Sequence, residues 1–349
     1  MNSLSVGIIG YGRIGHEHAA WLRQSAAARP AAVADTTPGR RALAASSGLR
    51  VYEQIDPMLR DASIDAVLIA TPTSMHFDHA MAALAADKHV MIEKPMALDL
   101  PQGKRIVEEA GRRNRIVSVF HNRRWDADYL TVRSAISSGL IGKIINVESR
   151  LGQWSSCVGP AAKEYRPGWR NEAAFGGGGL YDWGSHFIDQ LWRLLWPARP
   201  MRVFAQLRGN VWTSDCDDFA RVCIDFDNGA AGLLEINTTT TRPLPRWHID
   251  GSAGSAESPF SLRFEVSTWA QLTFTPSAAG SASQLLPVAK SGLDEAQIWD
   301  RFAAAARGEG QPAVTVASVL PTMALLDAAR ESARTGTVVA LPLDLAWVY

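Results

Sequence analysis

The chain is short of several things, and each scarcity excludes something. It has no net charge, because 35 basic side chains balance 35 acidic ones. Nucleic-acid binding needs a surplus of Lys and Arg on one face, so the composition argues against such a partner. It has no long apolar run: stretches such as Ala66-Val67-Leu68-Ile69-Ala70 are far too short to span a membrane. Met1 to Ser5 carries no basic segment, and Val6 to Ile9 runs directly into a glycine motif, so no signal peptide is expected. The three cysteines (Cys157, Cys216 and Cys223) are odd in number and lack metal-ligand spacing. Reduced thiols, no metal site and a cytoplasmic location are the expectation. Lysine is scarce too, six against 29 arginines, so a Lys in a distinctive place stands out.

What is present suits a two-domain protein. The 349 residues are 47% hydrophobic, enough for full cores and too many for disorder. Ten of the 12 tryptophans follow residue 150, so the two halves are built differently. Early in the chain, Ser5–Ile9, Ala31–Ala34, Ala66–Ala70, His89–Ile92 and Ile116–Phe120 read as short strands buried on both faces. Helical segments alternate with them: Ile14–Gln24, Gly39–Ser46, Ser74–Ala86 and Leu100–Arg113. That alternation implies parallel βαβ units. Later, the runs around Phe219–Phe226 and Leu233–Ile236 flank Asn228-Gly229, a strong hairpin signal. Further strand-like runs lie at Trp247–Ile249 and Leu262–Val266, and helices are expected at Ala296–Arg307 and Ala317–Arg334. The reading is an α/β chain. Residues 1–122 form a Rossmann dinucleotide-binding domain. Residues 123–349 form an α+β domain with a large, mostly antiparallel open sheet, and its terminal helices pack back on the first domain.

Gly10-Tyr11-Gly12-Arg13-Ile14-Gly15 is a G-x-G-x-x-G that closes a strand and opens a helix, and Asp35 follows Gly15 by 20 residues. That context is what the dinucleotide fingerprint demands. Gly10 makes the turn, Gly12 lets backbone approach a pyrophosphate, and Gly15 lets helix and strand pack closely. Free N–H groups at the helix start hold phosphate. A carboxylate at Asp35 accepts ribose hydroxyls and repels a 2′-phosphate, which favours NAD. Arg40 and Arg41 leave NADP open, should Asp35 point away.

Three further motifs follow in order: Ala70-Thr71-Pro72-Thr73, Glu93-Lys94-Pro95, and Gly176 to Gly179 running into Leu180-Tyr181-Asp182-Trp183-Gly184-Ser185-His186-Phe187-Ile188-Asp189. Together with the glycine fingerprint, these resemble the Gfo/Idh/MocA oxidoreductases, the family of glucose-fructose oxidoreductase and inositol dehydrogenase. The resemblance runs from Val6 to about Val338. Phe120-His121-Asn122-Arg123-Arg124-Trp125-Asp126 is similar to a branch that includes scyllo-inositol dehydrogenase-like proteins. The resemblance implies an NAD(P)-dependent dehydrogenase acting on a secondary hydroxyl of a sugar or cyclic polyol. It also implies a homodimer or homotetramer.

Lys94, Asp182 and His186 match the family's catalytic positions. Asp182 and His186 are four apart and would share a helix face. Neutral His186 suits a general base, Lys94 suits stabilisation of a developing alkoxide, and Asp182 would orient hydroxyls or tune the pair. Each has a plainer alternative: a solvated strand-end Lys, a helix cap, a core histidine. The family places Thr71, Pro72, Thr73, His76 and Glu93 beside the cofactor, with Asn122, Trp169 and Arg170 near it. Arg123, Trp154, Tyr165 and Arg166 would line the substrate pocket, where rings stack on sugar C–H groups and Arg binds hydroxyls or an anion. For Trp154, Tyr165 and Arg166, filling a sheet or subunit interface is the preferred alternative. His16, His18, His79 and His248 are assigned surface or helix roles, and Asp189 a structural hydrogen bond. Two competing functions stay open: a hydrolase or lyase that oxidises a sugar transiently with tightly held NAD, and a non-catalytic dinucleotide-binding regulator.

Overall fold

In the computed structural model, which describes residues 3–157, 168–261 and 265–342, the chain builds two main sheets. The first is parallel. Its strands are β1 (Leu4–Ile9), β2 (Ala28–Ala34), β3 (Arg50–Tyr52), β4 (Ala66–Ile69), β5 (His89–Ile92) and β6 (Val117–Val119), in the order β3-β2-β1-β4-β5-β6. Both β1 and β4 are buried along their whole length, which is why they read as unbroken apolar runs. Helices α1 (Arg13–Gln24), α2 (Pro38–Ser46), α3 (Ile55–Leu59), α4 (His76–Ala85) and α5 (Leu100–Arg112) connect the strands. The order reverses between β1 and β4, and a doubly wound sheet opens a ligand crevice at that point.

The elements expected here form within a few residues of their predicted ends, with one split. The helix expected from Ser74 starts as a 3-10 turn over Thr73–Met75 and becomes α4 only at His76. β3 and α3 were not foreseen. β3 has three residues, two of them exposed, and α3 has five, too few for a periodic pattern to register.

The second sheet has nine strands. They are β7 (Ile144–Gly152), β8 (Pro200–Arg208), β9 (Phe219–Phe226), β10 (Ala231–Asn237), β12 (Trp247–Gly251), β13 (Gly254–Glu257), β15 (Thr273–Pro276), β16 (Gln284–Leu285) and β17 (Val339–Ala340). A separate pair, β11 (Leu244–Pro245) and β14 (Phe260–Ser261), lies beside it. All neighbours run antiparallel except β7 and β10, which are parallel. The Asn228-Gly229 turn joins β9 to β10, with Gly229 at φ +85°. The strand expected over Leu262–Val266 is not seen. Residues 262–264 fall outside the described part, and Val266 begins the one-turn helix α8 (Val266–Trp269).

The remaining helices are α6 (Ala127–Ser137), α7 (Ser185–Leu194), α9 (Glu295–Ala306) and α10 (Leu320–Thr335). α9 starts at a capping box, in which the Asp294 side chain accepts from Gln297 N at 2.8 Å and the Gln297 side chain accepts from Asp294 N at 3.0 Å. It lies on α1 and β2, and its Ile298, Trp299 and Phe302 join the core of Val6, Ile8 and Leu22. Truncating a fully buried ring such as Trp299 costs about 3–5 kcal/mol. α10 instead packs on β8, α7 and α5. No helix among the described residues is long and apolar enough to cross a membrane.

Candidate active site

A cleft of about 730 Å³ opens at the carboxyl ends of the parallel strands, and the segment leading into α7 walls its far side. Gly10, Gly12, Arg13 and Ile14 line it, as do Asp35, Arg40 and the Thr71-Pro72-Thr73 turn. Gly10 and Gly15 are required sterically. Gly10 sits at φ +88°, a left-handed conformation. A Cβ on Gly15 would lie 2.1 Å from the Gly10 carbonyl oxygen. This close backbone cradle fits a dinucleotide: any side chain at Gly15 would displace the loop whose N–H groups would hold the phosphates. Tyr11 contributes backbone rather than ring to this loop. Its N–H donates to Asp35 Oδ2 at 2.7 Å, while Thr37 N–H donates to Oδ1 at 2.8 Å. Asp35 therefore points toward the glycine loop. The Arg40 guanidinium lies 3.7 Å from Asp35 Oδ2, and Arg41 donates to the Asp35 carbonyl.

The other end of the cleft gathers charged side chains from distant segments. Lys94 Nζ donates to the Asp182 carbonyl at 2.8 Å and to its Oδ1 at 3.2 Å. An ammonium has three N–H donors, so one remains for a substrate oxygen. Arg170 Nε lies 3.5 Å from the same Oδ1. Burial alone would raise the Asp182 carboxyl, but Lys94 and Arg170 beside it hold it below the ordinary carboxylate range. His186 also lines the cleft. Burial first, then the positive charge of Lys94, push it well below the usual imidazole value, so it is neutral. The shared helix face expected for Asp182 and His186 takes a different form. Leu180–Gly184 is a π-helical turn, and the α-helix starts only at Ser185. Both residues still face the cleft.

The Glu93-Lys94-Pro95 turn is braced from beneath. His76 places Nδ1 2.8 Å from the Pro95 carbonyl oxygen and Nε2 2.9 Å from that of Thr71, tying the two turns together. His18 lies on helix α1 but is fully buried, so of the surface or helix role expected of it only the surface alternative fails. Its Nδ1 faces the Trp299 indole N–H at 3.2 Å, so its Nε2 carries the proton and donates to Glu93 Oε1 at 2.8 Å. Burial would raise the Glu93 carboxyl, but the His18 hydrogen bond and the nearby Lys94 charge bring it below its usual value. Asp189 has the structural role expected of it: Arg124 grips both its oxygens at 2.7 and 2.8 Å.

Other expected residues divide. Asn122, Arg123, Trp169 and Arg170 line the cleft, and Arg123 pairs with Asp126 at 2.9 Å. Trp154 does not. It is 54% exposed and packs edge-on against Trp212 outside the cleft. Tyr165 and Arg166 lie outside the described residues. The cleft also holds residues not expected in it from the sequence, among them His79, Cys157, Tyr181, Trp183 and Glu295. Tyr181 and Trp183 lie inside the recognised motif. Glu295 belongs to α9 and arrives by tertiary packing, with no local signal. Among the described residues no group of three or more His, Cys, Asp or Glu is placed to hold a metal ion.

Two family models match the chain. One, described as an oxidoreductase family with an NAD-binding Rossmann fold, covers residues 4–121, and the other, the GFO/IDH/MocA C-terminal domain, covers residues 129–257. The scyllo-inositol 2-dehydrogenase (NADP(+)) IolW of Bacillus subtilis (strain 168) is 30% identical over 205 residues, 59% of this chain and 54% of that protein. The chain spans roughly 50% to 60% of the length of the curated relatives it matches first. Solved structures match along nearly the whole chain. An NAD-binding protein from Listeria innocua gives a TM-score of 0.86 at 29% identity, covering 97% of each chain. The WlbA dehydrogenase from Bordetella pertussis, solved with NADH and UDP-GlcNAcA, gives 0.80 at 25% identity over 98% of this chain and 100% of its own.

Proposed function

The chain belongs to the Gfo/Idh/MocA family of oxidoreductases, and on that premise we propose that it is an NAD-dependent dehydrogenase for a secondary hydroxyl of a sugar or cyclic polyol. The observation that carries this reading is the Lys94–Asp182 contact, placed with neutral His186 in the same cleft as the glycine cradle. NAD, when bound, supplies the hydride acceptor. The protein handles the proton. His186 Nε2 takes it from the substrate hydroxyl, while the remaining Lys94 N–H stabilises the negative charge building on that oxygen. Asp182, held ionised by Lys94 and Arg170, keeps the ammonium aimed and is the acceptor for a neighbouring hydroxyl.

NAD is preferred to NADP because the Asp35 carboxylate faces the ribose end of the cleft. It also balances the Arg40 charge that a 2′-phosphate would need. Relatives named as inositol dehydrogenases support the polyol class. Association into a homodimer or homotetramer through the open sheet is part of the same reading.

The test is a spectrophotometric screen of inositols, hexoses, sugar acids and glycosides, with NAD and NADP supplied separately. A steady rise at 340 nm with a polyol and NAD is the expected result. Turnover of a glycoside without net NADH would replace this reading with a transient-oxidation hydrolase or lyase. Dinucleotide binding without turnover of any member would leave a binding protein.

A further inference from the structure

The mechanism above leaves a second buried imidazole unused. His121 ends the loop from β6 and is 2% exposed. Neither of its ring nitrogens has a hydrogen-bond partner among the described residues, and neither does Nδ1 of His186. The two rings pack edge to face, with centres 5.7 Å apart and planes at 87°. Three unpartnered imidazole nitrogens thus meet in one buried place. Buried polar side-chain atoms are nearly always satisfied by protein or by ordered water.

We propose that His121 is the positioning residue for His186: the His186 Nδ1–H donates to one water, which in turn donates to an acceptor nitrogen of His121, and this leaves the Nε2 lone pair facing the cleft. This rests on the assignment of His186 as the base. A neutral imidazole has one donor and one acceptor nitrogen, and the hydrogen bond at one fixes the role of the other. For Nε2 to accept a substrate proton, Nδ1 must carry the ring hydrogen, and a buried N–H needs an acceptor. Asp189 is the carboxylate whose charge reaches His121, yet its oxygens are taken by Arg124, Arg193 and Thr322. His121 remains, and it keeps an acceptor nitrogen because it is neutral. Burial first, and then Arg124, Arg193 and Lys94, outweigh Asp189 and push it down to about 4. Among the charged groups near His186, the positive Lys94, Arg123 and Arg246 add to burial in disfavouring its protonated form. A proton passed to His186 is therefore not retained there, and it returns to solvent as turnover proceeds.

The test reads the tautomer directly. Long-range proton–nitrogen-15 NMR of the intact protein, with His186 assigned through His186→Phe, should show His186 protonated at Nδ1. In His121→Phe, which keeps bulk and removes the acceptor, the Nε2-protonated form should appear. kcat with the substrate found in the screen should fall about 10- to 100-fold, the usual cost of losing a group that orients a ligand imidazole. KM and the NAD dissociation constant should hold. His121→Gln, whose amide oxygen still accepts, should recover most of the loss. The proposal is overturned if wild-type His186 carries its proton on Nε2, if His121→Phe leaves the tautomer unchanged, or if the Phe and Gln variants lose activity alike. The tautomer signal needs no substrate, so failure to oxidise any polyol would overturn the functional reading and leave this one to be judged separately.

Discussion

The two ends of the cleft hold their ligands by different means. The dinucleotide end is backbone: Gly10 and Gly15 are needed for what they lack, and Asp35 is tied to the loop by the Tyr11 N–H. The reactive end is side chain. Lys94 meets Asp182 across 88 positions of sequence, and burial makes each charge there depend on its neighbours. A backbone cradle tolerates a change of charge nearby but no added atom. A cluster of desolvated charges tolerates small changes of shape but not the loss of one member. Damage at one end should therefore lower affinity for the dinucleotide, and damage at the other should lower turnover.

The sharpest way to break this division is Lys94→Ala. We expect kcat to fall about 10²- to 10³-fold, the usual cost of one transition-state donor. NAD affinity should move only a few-fold. The pH profile adds a second readout. His186 sits well below the ordinary imidazole value, partly because of Lys94, so the acid limb of kcat/KM in wild type should lie below pH 6.5. Without the Lys94 charge, protonated His186 is less disfavoured, so the limb should move toward higher pH. Full turnover in Lys94→Ala would remove the role assigned to it. A smaller effect is expected from Gly15→Ala. The added Cβ meets the Gly10 carbonyl at 2.1 Å, so the loop must shift. Overpacking of this kind costs about 1–3 kcal/mol, or about 5- to 150-fold in NAD affinity. At saturating NAD, kcat should stay close to wild type. A large loss of kcat there would show that the two ends are not separable.

The same contrast explains what the sequence made legible. The parallel strands and the glycine loop could be read because their determinants are local: apolar runs of four to six residues, and glycines with an acid 20 residues on. Lys94, Asp182 and His186 were reached through a family resemblance, since no spacing rule joins residues so far apart. Side chains that support them from other layers were missed. His18 gave no sign that it would be buried between Glu93 and Trp299, because Trp299 lies 281 positions away on α9. His121 stood in the quoted motif, but its contact with His186 exists only once β6 and α7 are packed together. For Trp154 the sequence allows a pocket role and prefers a sheet or interface one, and its bridge to Thr239 and exposed ring fit the preferred alternative, since a ring near a pocket segment can point to either side.

The smallest effect on ligand binding sits beneath the reactive end, at Asp217. Its Oδ2 accepts from Leu180 N at 2.8 Å and its carbonyl from Gly179 N at 2.9 Å, so it anchors the turn that carries Asp182. Burial pushes its carboxyl up to about 7, and Asp218 adds to this, while the backbone hydrogen bonds oppose it without prevailing. A carboxyl raised in the folded state binds its proton more tightly there than in the unfolded chain. Its stabilising contribution is therefore complete below the ordinary value of 3.8 and is lost as pH rises through about 7. Asp217→Asn keeps an acceptor and cannot ionise. Its melting temperature should exceed that of wild type above pH 7, and the advantage should shrink as the pH falls. NAD affinity should not change, because the cradle draws nothing from this carboxyl. Thermal denaturation across this range, with and without NAD, measures both. A melting curve that keeps its wild-type pH dependence in the Asn variant would place the titrating group elsewhere. A change in NAD affinity would mean that the turn under Asp182 and the glycine loop move as one unit.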